Sequence, residues 1–218
     1  MRNRFEVQLE SLSVQLTTMG NLCEKAIANA TEALKNGDLE LAKLVIREDQ
    51  EIDQMEKEIE AMCLKLLLQQ QPVAKDLRQI SAALKMITDM ERIGDQTSDI
   101  AEIIISAGMS AVGDLDEIAM MAEATSQMVH NSVLAYVTKN LALAHKVMEA
   151  DDNVDELFDS VKKHLVNIIA KEHEHIGERA IDIMMITKYL ERIGDHATNI
   201  AEWVEFSLTG VHRDSAAI

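Results

Sequence analysis

A twelve-residue segment occurs twice in this 218-residue chain, one hundred positions apart. The first copy starts at Glu91 and reads ERIGDQTSDIAE, and the second starts at Glu191 and reads ERIGDHATNIAE. A shorter match relates LELAK, starting at Leu39, to LALAH, starting at Leu141. Because repeats at a fixed spacing mark copies of one structural unit, we expect the chain to fold as the same unit twice.

The residue types predict that this unit is helical. The chain has one proline, eight glycines and 3% aromatic residues, so helix breakers and typical strand residues are both scarce. Apolar residues recur every three or four positions along most of the sequence, which is the period of an amphipathic helix. The fold class expected from these patterns is all-α.

Six helices are expected, separated by short breaks. The breaks are Asn36-Gly37-Asp38, the QQQP segment ending at Pro72, a glycine-containing stretch at 108–114, and two brief interruptions near residues 140 and 172. Short connections make successive helices antiparallel neighbours, so the predicted architecture is two tandem antiparallel three-helix bundles related by internal duplication. The predicted divisions are a first bundle at 1–108, a second at 114–209 and a tail at 210–218. The predicted helices span about 3–35, 38–68, 72–107, 115–139, 141–171 and 173–208.

The formal net charge of −17 excludes some classes of partner. Nucleic acids and anionic lipid surfaces attract basic faces, so neither is expected to bind this chain. No apolar run reaches the length of about 18 residues that a membrane span needs, so no membrane insertion is expected. Cys23 and Cys63 are predicted to lie too far apart for a disulfide. These features together predict a cytoplasmic protein that attracts cations or basic partners.

Acidic residues share one face of each repeated helix. At about 100° per residue, Glu91, Asp95, Asp99 and Glu102 fall within roughly 80° of one another on a helical wheel. Like charges four residues apart destabilise a helix by about 0.2–0.5 kcal/mol per pair, so the clustering needs a cause.

The preceding helix of each unit carries two more acids at matching heights. If the hairpin turns at Pro72, Asp49 lies level with Asp95, and Asp53 with Glu91. If the second hairpin turns near residue 173, Asp151 lies level with Asp195, and Asp155 with Glu191. Carboxylate oxygens favour hard or borderline ions such as Mg²⁺, Ca²⁺, Mn²⁺ or iron, and several carboxylates together can hold more than one ion. The candidate ligands are Asp49, Asp53, Glu91, Asp95, Asp99, Asp151, Asp155, Glu191 and Asp195.

Other features allow more than one interpretation. Gly94 and Gly194 lie in mid-helix, where a glycine indicates close approach of a neighbouring helix or of a ligand. Arg92 and Arg192 are expected to bridge to acids on a neighbouring helix, with binding of an anion as the alternative. Glu172 and His175 have the spacing of a di-iron motif, but a polar turn is the favoured interpretation because the motif occurs once.

The doubled ERIGD segments and the Asp-x-x-x-Asp pairs make the sequence similar to the PhoU family, as does the opening pattern over residues 1–19. This resemblance covers nearly the whole chain and implies a non-enzymatic regulator built from two three-helix bundles. It implies multinuclear metal sites at the Glu/Asp-x-x-x-Asp motifs, with iron, zinc, manganese, magnesium or calcium as candidate ions. It further implies negative regulation of phosphate uptake and of the phosphate-starvation response. The implied partners are the ATPase subunit of the phosphate ABC transporter and a sensor histidine kinase at the inner face of the membrane.

Two alternatives remain at this point: a carboxylate-bridged metalloenzyme of phosphatase or oxidase type, and a plain helical scaffold. A homodimer is expected from the apolar helix faces. Asn199 stands in place of Asp99, and Lys188 is compared with Asp89 of the first copy. Both differences make the second copy less acidic, so two metal clusters of unequal strength are predicted.

Overall fold

A computed structural model describes residues 2–70, 73–109, 116–171 and 176–211. The secondary-structure elements within these ranges are all α-helices. Each predicted helix is present, with ends within a few residues of those expected. Pro72 and residues 172–175 lie outside the described residues, as does most of the predicted boundary at 108–114. The division of the chain at 108 and 114 therefore stays a prediction. The helices are α1 (Arg2–Asn36), α2 (Leu39–Gln70), α3 (Ala74–Ser106), α4 (Asp116–Thr138), α5 (Leu141–Lys171) and α6 (Ile176–Thr209).

The connection between the first two helices of each unit, α1–α2 and α4–α5, is built in the same way in both repeats. The Asp38 carboxylate accepts hydrogen bonds from the backbone N–H groups of Glu40 and Leu41, both at 3.0 Å, and so caps α2. Asn140 caps α5 in the same way, since its side-chain oxygen accepts from the N–H of Leu143 at 3.1 Å. The residue before each cap is left-handed: Gly37 has φ 65° and Lys139 has φ 54°. The second copy thus holds a lysine where the first holds a glycine.

Each unit is a three-helix bundle, and the two bundles pack through their inner helices. In the first unit α1, α2 and α3 contact one another, and in the second α4, α5 and α6 do so. Contacts of α1 with α4 and of α3 with α6 join the units. The predicted architecture is confirmed. The four inner helices form a closed ring of neighbours, and α2 and α5 flank that ring on either side.

The helices that join the units run antiparallel. Along α3 and α6, Asp89 lies beside Asn199, and Arg78 lies beside Gly210. The first residues of α3 and of α6 consequently lie at opposite ends of the pair. This arrangement relates the repeats by an approximate two-fold axis between the middle of α3 and the middle of α6, near Gly94 and Gly194.

One apolar core runs through both repeats. The buried cluster takes members from every helix: Leu12, Ile52, Ile93, Val129, Val154 and Ile200 are examples. Cys23 and Cys63 are free, as predicted, and both are buried; the thiol of Cys23 donates to the carbonyl of Met90 at 3.4 Å. No helix in the described ranges is both long and apolar enough to cross a bilayer. A shared core makes the relative position of α3 and α6 a fixed property of the fold.

Candidate metal-binding face

The first acidic cluster lies where α2 packs against α3. Asp49 and Asp53 come from α2, and Glu91, Asp95 and Asp99 come from α3. Burial raises the pKa of Asp49 to about 6, and the charges of Asp95, Asp53, Glu91 and Asp99 add to the shift. The four other carboxylates therefore lie near enough to Asp49 to repel it, in agreement with the heights predicted from the hairpin.

The α3 members of the cluster are also hard to ionise. Burial is the first cause of a raised pKa at Glu91, Asp95 and Asp99 alike. The charge of Asp53 adds to the shift at Glu91 and at Asp95, so the two helices repel each other across their contact. A cation placed among these groups would favour the ionised form of each one.

Gly94 allows α2 to approach α3 at this cluster. A β-carbon at Gly94 would lie 2.5 Å from Oδ1 of Asp49 and 3.0 Å from Cδ1 of Ile52, so any larger residue would displace one of them. The same Asp49 oxygen is buried and accepts no hydrogen bond from any described group. A buried acceptor without a partner has lost its hydration without compensation. Close approach of a neighbouring helix, one of the two predicted reasons for this glycine, is confirmed.

The second acidic cluster repeats the arrangement between α5 and α6. Burial raises the pKa of Asp151 to about 6, followed by the charges of Asp195 and Asp155. Glu191 also contributes to the shift at Asp151. Gly194 again faces the cluster, but a β-carbon there would lie 3.3 Å from Oδ1 of Asp151. The helices are therefore less tightly apposed than at Gly94.

A lysine reduces the negative charge of the second cluster. Lys188 forms an ion pair with Glu191. Burial and Glu191 raise the pKa of Asp195, and the charge of Lys188 opposes that shift. The comparison of Lys188 with Asp89 was wrong by one residue, because at a spacing of one hundred the counterpart of Lys188 is Thr88 and that of Asp89 is Tyr189. The effect of Lys188 on the second cluster does not depend on that alignment.

Polar side chains connect α3 to α6 on both sides of the approximate two-fold axis. On one side, Asp89 is 7% exposed and lies 2.9 Å from Nδ1 of His196, and it accepts from Nδ2 of Asn199 at 3.3 Å. On the other side, the Tyr189 hydroxyl of α6 lies close enough to Asp99 of α3 to oppose the rise in the pKa of that carboxyl group. Sequence reasoning missed this bridge because no short loop joins α3 to α6, so nothing in the chain order places them side by side.

The two arginines lie among the acids. Burial and the charge of Glu102 raise the pKa of Asp99, whereas the nearby Tyr189 hydroxyl and the charge of Arg192 oppose that shift. Arg192 on α6 thus acts through its charge on an acid of α3, the neighbouring helix, but no ion pair of either arginine is recorded among the described residues, so bridging stays a prediction. Arg92 acts on Glu91 of its own helix. Glu172 and His175 lie outside the described residues.

The acidic side chains are close together without forming a preassembled metal cage. Within the described ranges, no group of three or more His, Cys, Asp or Glu side chains is arranged to hold a metal ion. The donor set nevertheless fits a hard cation, since it consists of carboxylate oxygens with one buried and unpartnered oxygen at Asp49. A metal at either cluster would require the carboxylates to turn toward it.

A family model for the PhoU domain matches residues 16–104 and, separately, residues 118–204. The chain belongs to the PhoU family. It is 38% identical to the phosphate-specific transport system accessory protein PhoU homolog of Clostridium acetobutylicum, over 98% of each chain. It is 37% identical to the homolog of the same name from Aquifex aeolicus, over 85% of this chain and 84% of that one. PhoU proteins of this kind are accessory and regulatory proteins, so the prediction that the chain is not an enzyme is confirmed.

Solved PhoU structures have the same fold. The crystal structure of PhoU from Pseudomonas aeruginosa matches 95% of this chain and 100% of its own, with a TM-score of 0.87 and 33% identity. The phosphate transport system regulatory protein PhoU from Streptococcus pneumoniae matches 95% of this chain and 98% of its own, with a TM-score of 0.87 and 25% identity. The family resemblance and the fold class drawn from the sequence are both confirmed.

Proposed function

We propose that this chain is a cytoplasmic negative regulator of phosphate uptake and of the phosphate-starvation response. In this role it is a metal-binding adaptor between the ATPase subunit of the phosphate ABC transporter and a sensor histidine kinase. The supporting observation is similarity along almost the entire chain to accessory proteins of phosphate-specific transport, with 98% of the chain covered in one of them. The metalloenzyme alternative is not carried forward, because the family consists of accessory proteins.

The acidic face supports metal binding as part of this function. Both clusters place carboxylates from two helices near one another, and the leading aspartate of each has a pKa of about 6. Ligation would relieve that repulsion and would supply a partner for the buried Asp49 oxygen. Iron, zinc, manganese, magnesium and calcium are the candidate ions, and oxygen ligation favours the harder ones. A bound ion would hold the two helices of a hairpin together.

The surface supports docking onto other proteins. The net charge of −17 favours basic partner surfaces and speeds encounter with them. Large apolar side chains are exposed near the end of α2, among them Leu64 and Leu68, and near the end of α5, among them Val166. A homodimer through one such surface is part of the proposal.

Affinity capture tests the adaptor role. Tagged protein recovered from phosphate-replete and phosphate-starved cells of the source organism is expected to carry the transporter ATPase and the sensor kinase, with more of both when phosphate is plentiful. Deletion of the chain is expected to raise phosphate uptake and to express phosphate-starvation genes constitutively. Uptake and expression that are unchanged by deletion would refute negative regulation.

Elemental analysis tests the metal. Protein purified without chelator or metal-affinity resin is expected to contain metal, with less in Asp49→Asn/Asp95→Asn and in Asp151→Asn/Asp195→Asn. Glu51→Gln and Asp152→Asn are the matched controls, since these acids lie on α2 and α5 but are exposed. Near-zero metal in every sample would remove metal binding from the proposal and leave the adaptor role standing.

A further inference from the structure

Lys188 has two partners at the second cluster. On its own helix, α6, its ammonium group forms an ion pair with Glu191, three residues further along. Across the contact with α5, the same nitrogen lies 5.5 Å from the centre of the Phe158 ring. That ring is partly buried and packs against the apolar core. Because the face of an aromatic ring attracts a cation, Phe158 holds the lysine beside the cluster.

The Glu191 carboxylate is therefore engaged before any metal ion arrives. Its side chain is 15% exposed and that of Lys188 is 45% exposed, so the lysine reaches a more buried acid from the surface. A carboxylate that accepts a hydrogen bond from an ammonium group has fewer lone pairs left for an ion, and the positive charge repels a second cation. A metal ion must displace Lys188 or leave Glu191 unused.

The first cluster has no such cation at the equivalent positions. On α2, Glu56 stands where the second repeat has Phe158, and on α3, Thr88 stands where it has Lys188. The Thr88 hydroxyl donates to a backbone carbonyl of its own helix at 3.5 Å. Within the described ranges, no lysine or arginine forms an ion pair with a carboxylate of the first cluster. The same two positions thus add a negative charge in one repeat and a positive charge in the other.

We propose that Lys188, held over the ring of Phe158, is a built-in cation that competes with metal for Glu191 and so weakens metal binding at the second cluster. This inference rests on the metal-binding part of the proposed function. In metal-free protein the ion pair offsets part of the repulsion among the carboxylates of the second cluster. The carboxylates of the first cluster have no such offset and depend on a bound ion for it.

Titration with Mn²⁺ tests this competition, since free Mn²⁺ gives an electron paramagnetic resonance signal that weakens on binding. Full-length protein carrying Asp49→Asn and Asp95→Asn reports on the second cluster alone. In that background Lys188→Thr, which introduces the residue of the first repeat, is expected to tighten Mn²⁺ binding by about tenfold. Phe158→Leu keeps an apolar side chain but no longer holds the lysine, and it is expected to tighten binding by about threefold.

Lys162→Thr is the matched control. Lys162 also pairs with an acid three residues away, Asp159, but both side chains are more than half exposed and neither belongs to the cluster. This variant removes the same charge from α5 and is expected to leave Mn²⁺ affinity unchanged. In chelator, Lys188→Thr is expected to lower the melting temperature by about 2 °C, and saturating Mn²⁺ is expected to raise it by more than in the parent protein.

Three outcomes would overturn the proposal, and they differ in what else they remove. Unchanged Mn²⁺ affinity in Lys188→Thr would overturn the built-in cation, while Mn²⁺ binding by the parent protein would leave the proposed metal site standing. A lower melting temperature with no gain in affinity would show that Lys188 contributes to packing alone. No Mn²⁺ binding by wild type, by the parent protein or by Lys188→Thr would overturn metal binding and, with it, this inference.

Discussion

The two acidic clusters belong to the two copies of one repeated unit and differ in four ways. The first has Asp99 on its α3 face, a buried and unpartnered oxygen at Asp49, and a close helix approach at Gly94. The second has Asn199 in place of that acid, a lysine paired with Glu191, and a looser approach at Gly194. The first cluster is thus more strained without a cation. Both copies have kept the acidic cluster, but the unfavourable repulsion and burial of carboxylates are greater in the first copy than in the second.

Alanine at the two mid-helix glycines separates the clusters most strongly. In Gly94→Ala the new methyl group would meet Asp49 and Ile52, and the resulting overpacking is expected to lower the free energy of unfolding by about 2 kcal/mol. In Gly194→Ala the new methyl group would lie 3.3 Å from Oδ1 of Asp151, so that side chain must shift by only a few tenths of an ångström, and the gain of about 0.5 kcal/mol in helix propensity offsets much of the cost. Urea unfolding of both variants measures the difference. Equal effects would show that the helices approach equally closely at the two clusters.

Exchanging the residues at positions 99 and 199 is expected to have the next largest effect. Asn199→Asp removes a donor from buried Asp89 and places a second carboxylate beside it, which is expected to cost about 1.5 kcal/mol. Asp99→Asn keeps the size of the side chain and removes a charge that burial disfavours, so it is expected to change stability little in metal-free protein. Thermal unfolding in chelator measures both. A harmless Asn199→Asp would contradict the bridge described between α3 and α6.

The pH dependence of stability should come from Asp49 and Asp151. Each has a folded-state pKa of about 6, above the ordinary value of 3.8, so protonation favours the folded state. Their contribution is fully present below about pH 4 and is lost as the pH rises through 6. Asp49→Asn is therefore expected to stabilise metal-free protein at pH 7 by about 1 kcal/mol, discounted for partial exposure, by roughly half as much at pH 5, and to have little effect below pH 4.

Asp151→Asn is the parallel variant for the second cluster, and Glu51→Gln is the exposed control on α2. Melting temperatures in chelator across pH 4–7 give the comparison. A curve for Asp49→Asn that runs parallel to the wild-type curve would show that this carboxyl group does not titrate in that range.

The left-handed residue between the first two helices of each unit offers the smallest contrast. Lys139 has φ 54°, a conformation in which a β-carbon is disfavoured and which Gly37 adopts without cost in the first unit. Lys139→Gly is expected to stabilise the protein by about 0.5 kcal/mol, because the relief of strain exceeds the added flexibility of the unfolded chain. Gly37→Lys should destabilise it by a similar amount. Calorimetry resolves both effects, and destabilisation by Lys139→Gly would argue against strain at this turn.

Local regularity explains why much of this molecule could be predicted from its sequence. Helix period, the capping residues Asp38 and Asn140, and short turns define each hairpin, so the height of any residue on one helix gives its neighbour on the next. That reasoning placed Asp49 near Asp95 and Asp151 near Asp195, as the structure has them.

Contacts between the repeats were beyond the same reasoning. The antiparallel pairing of α3 with α6 depends on how two apolar faces fit together, and the chain between the repeats does not constrain it. His196 therefore looked like an ordinary helix residue, although it lies 2.9 Å from Asp89 of the first repeat. The single unpartnered oxygen of Asp49 likewise follows from side-chain packing around Gly94, which periodicity does not describe.

The approximate two-fold axis between α3 and α6 has a consequence for how the repeats could diverge. Two separate copies of one unit would meet in an isologous interface, where a residue at position 89 faces position 99 twice with identical chemistry. A substitution in such a pair alters both sides together. Covalent fusion removes that constraint. One pair of positions could then hold the acid Asp89 and the amide Asn199, while the related pair holds the acid Asp99 and the phenol Tyr189. The fused chain can thus carry different residue pairs at the two symmetry-related positions, which a symmetric dimer of identical units could not.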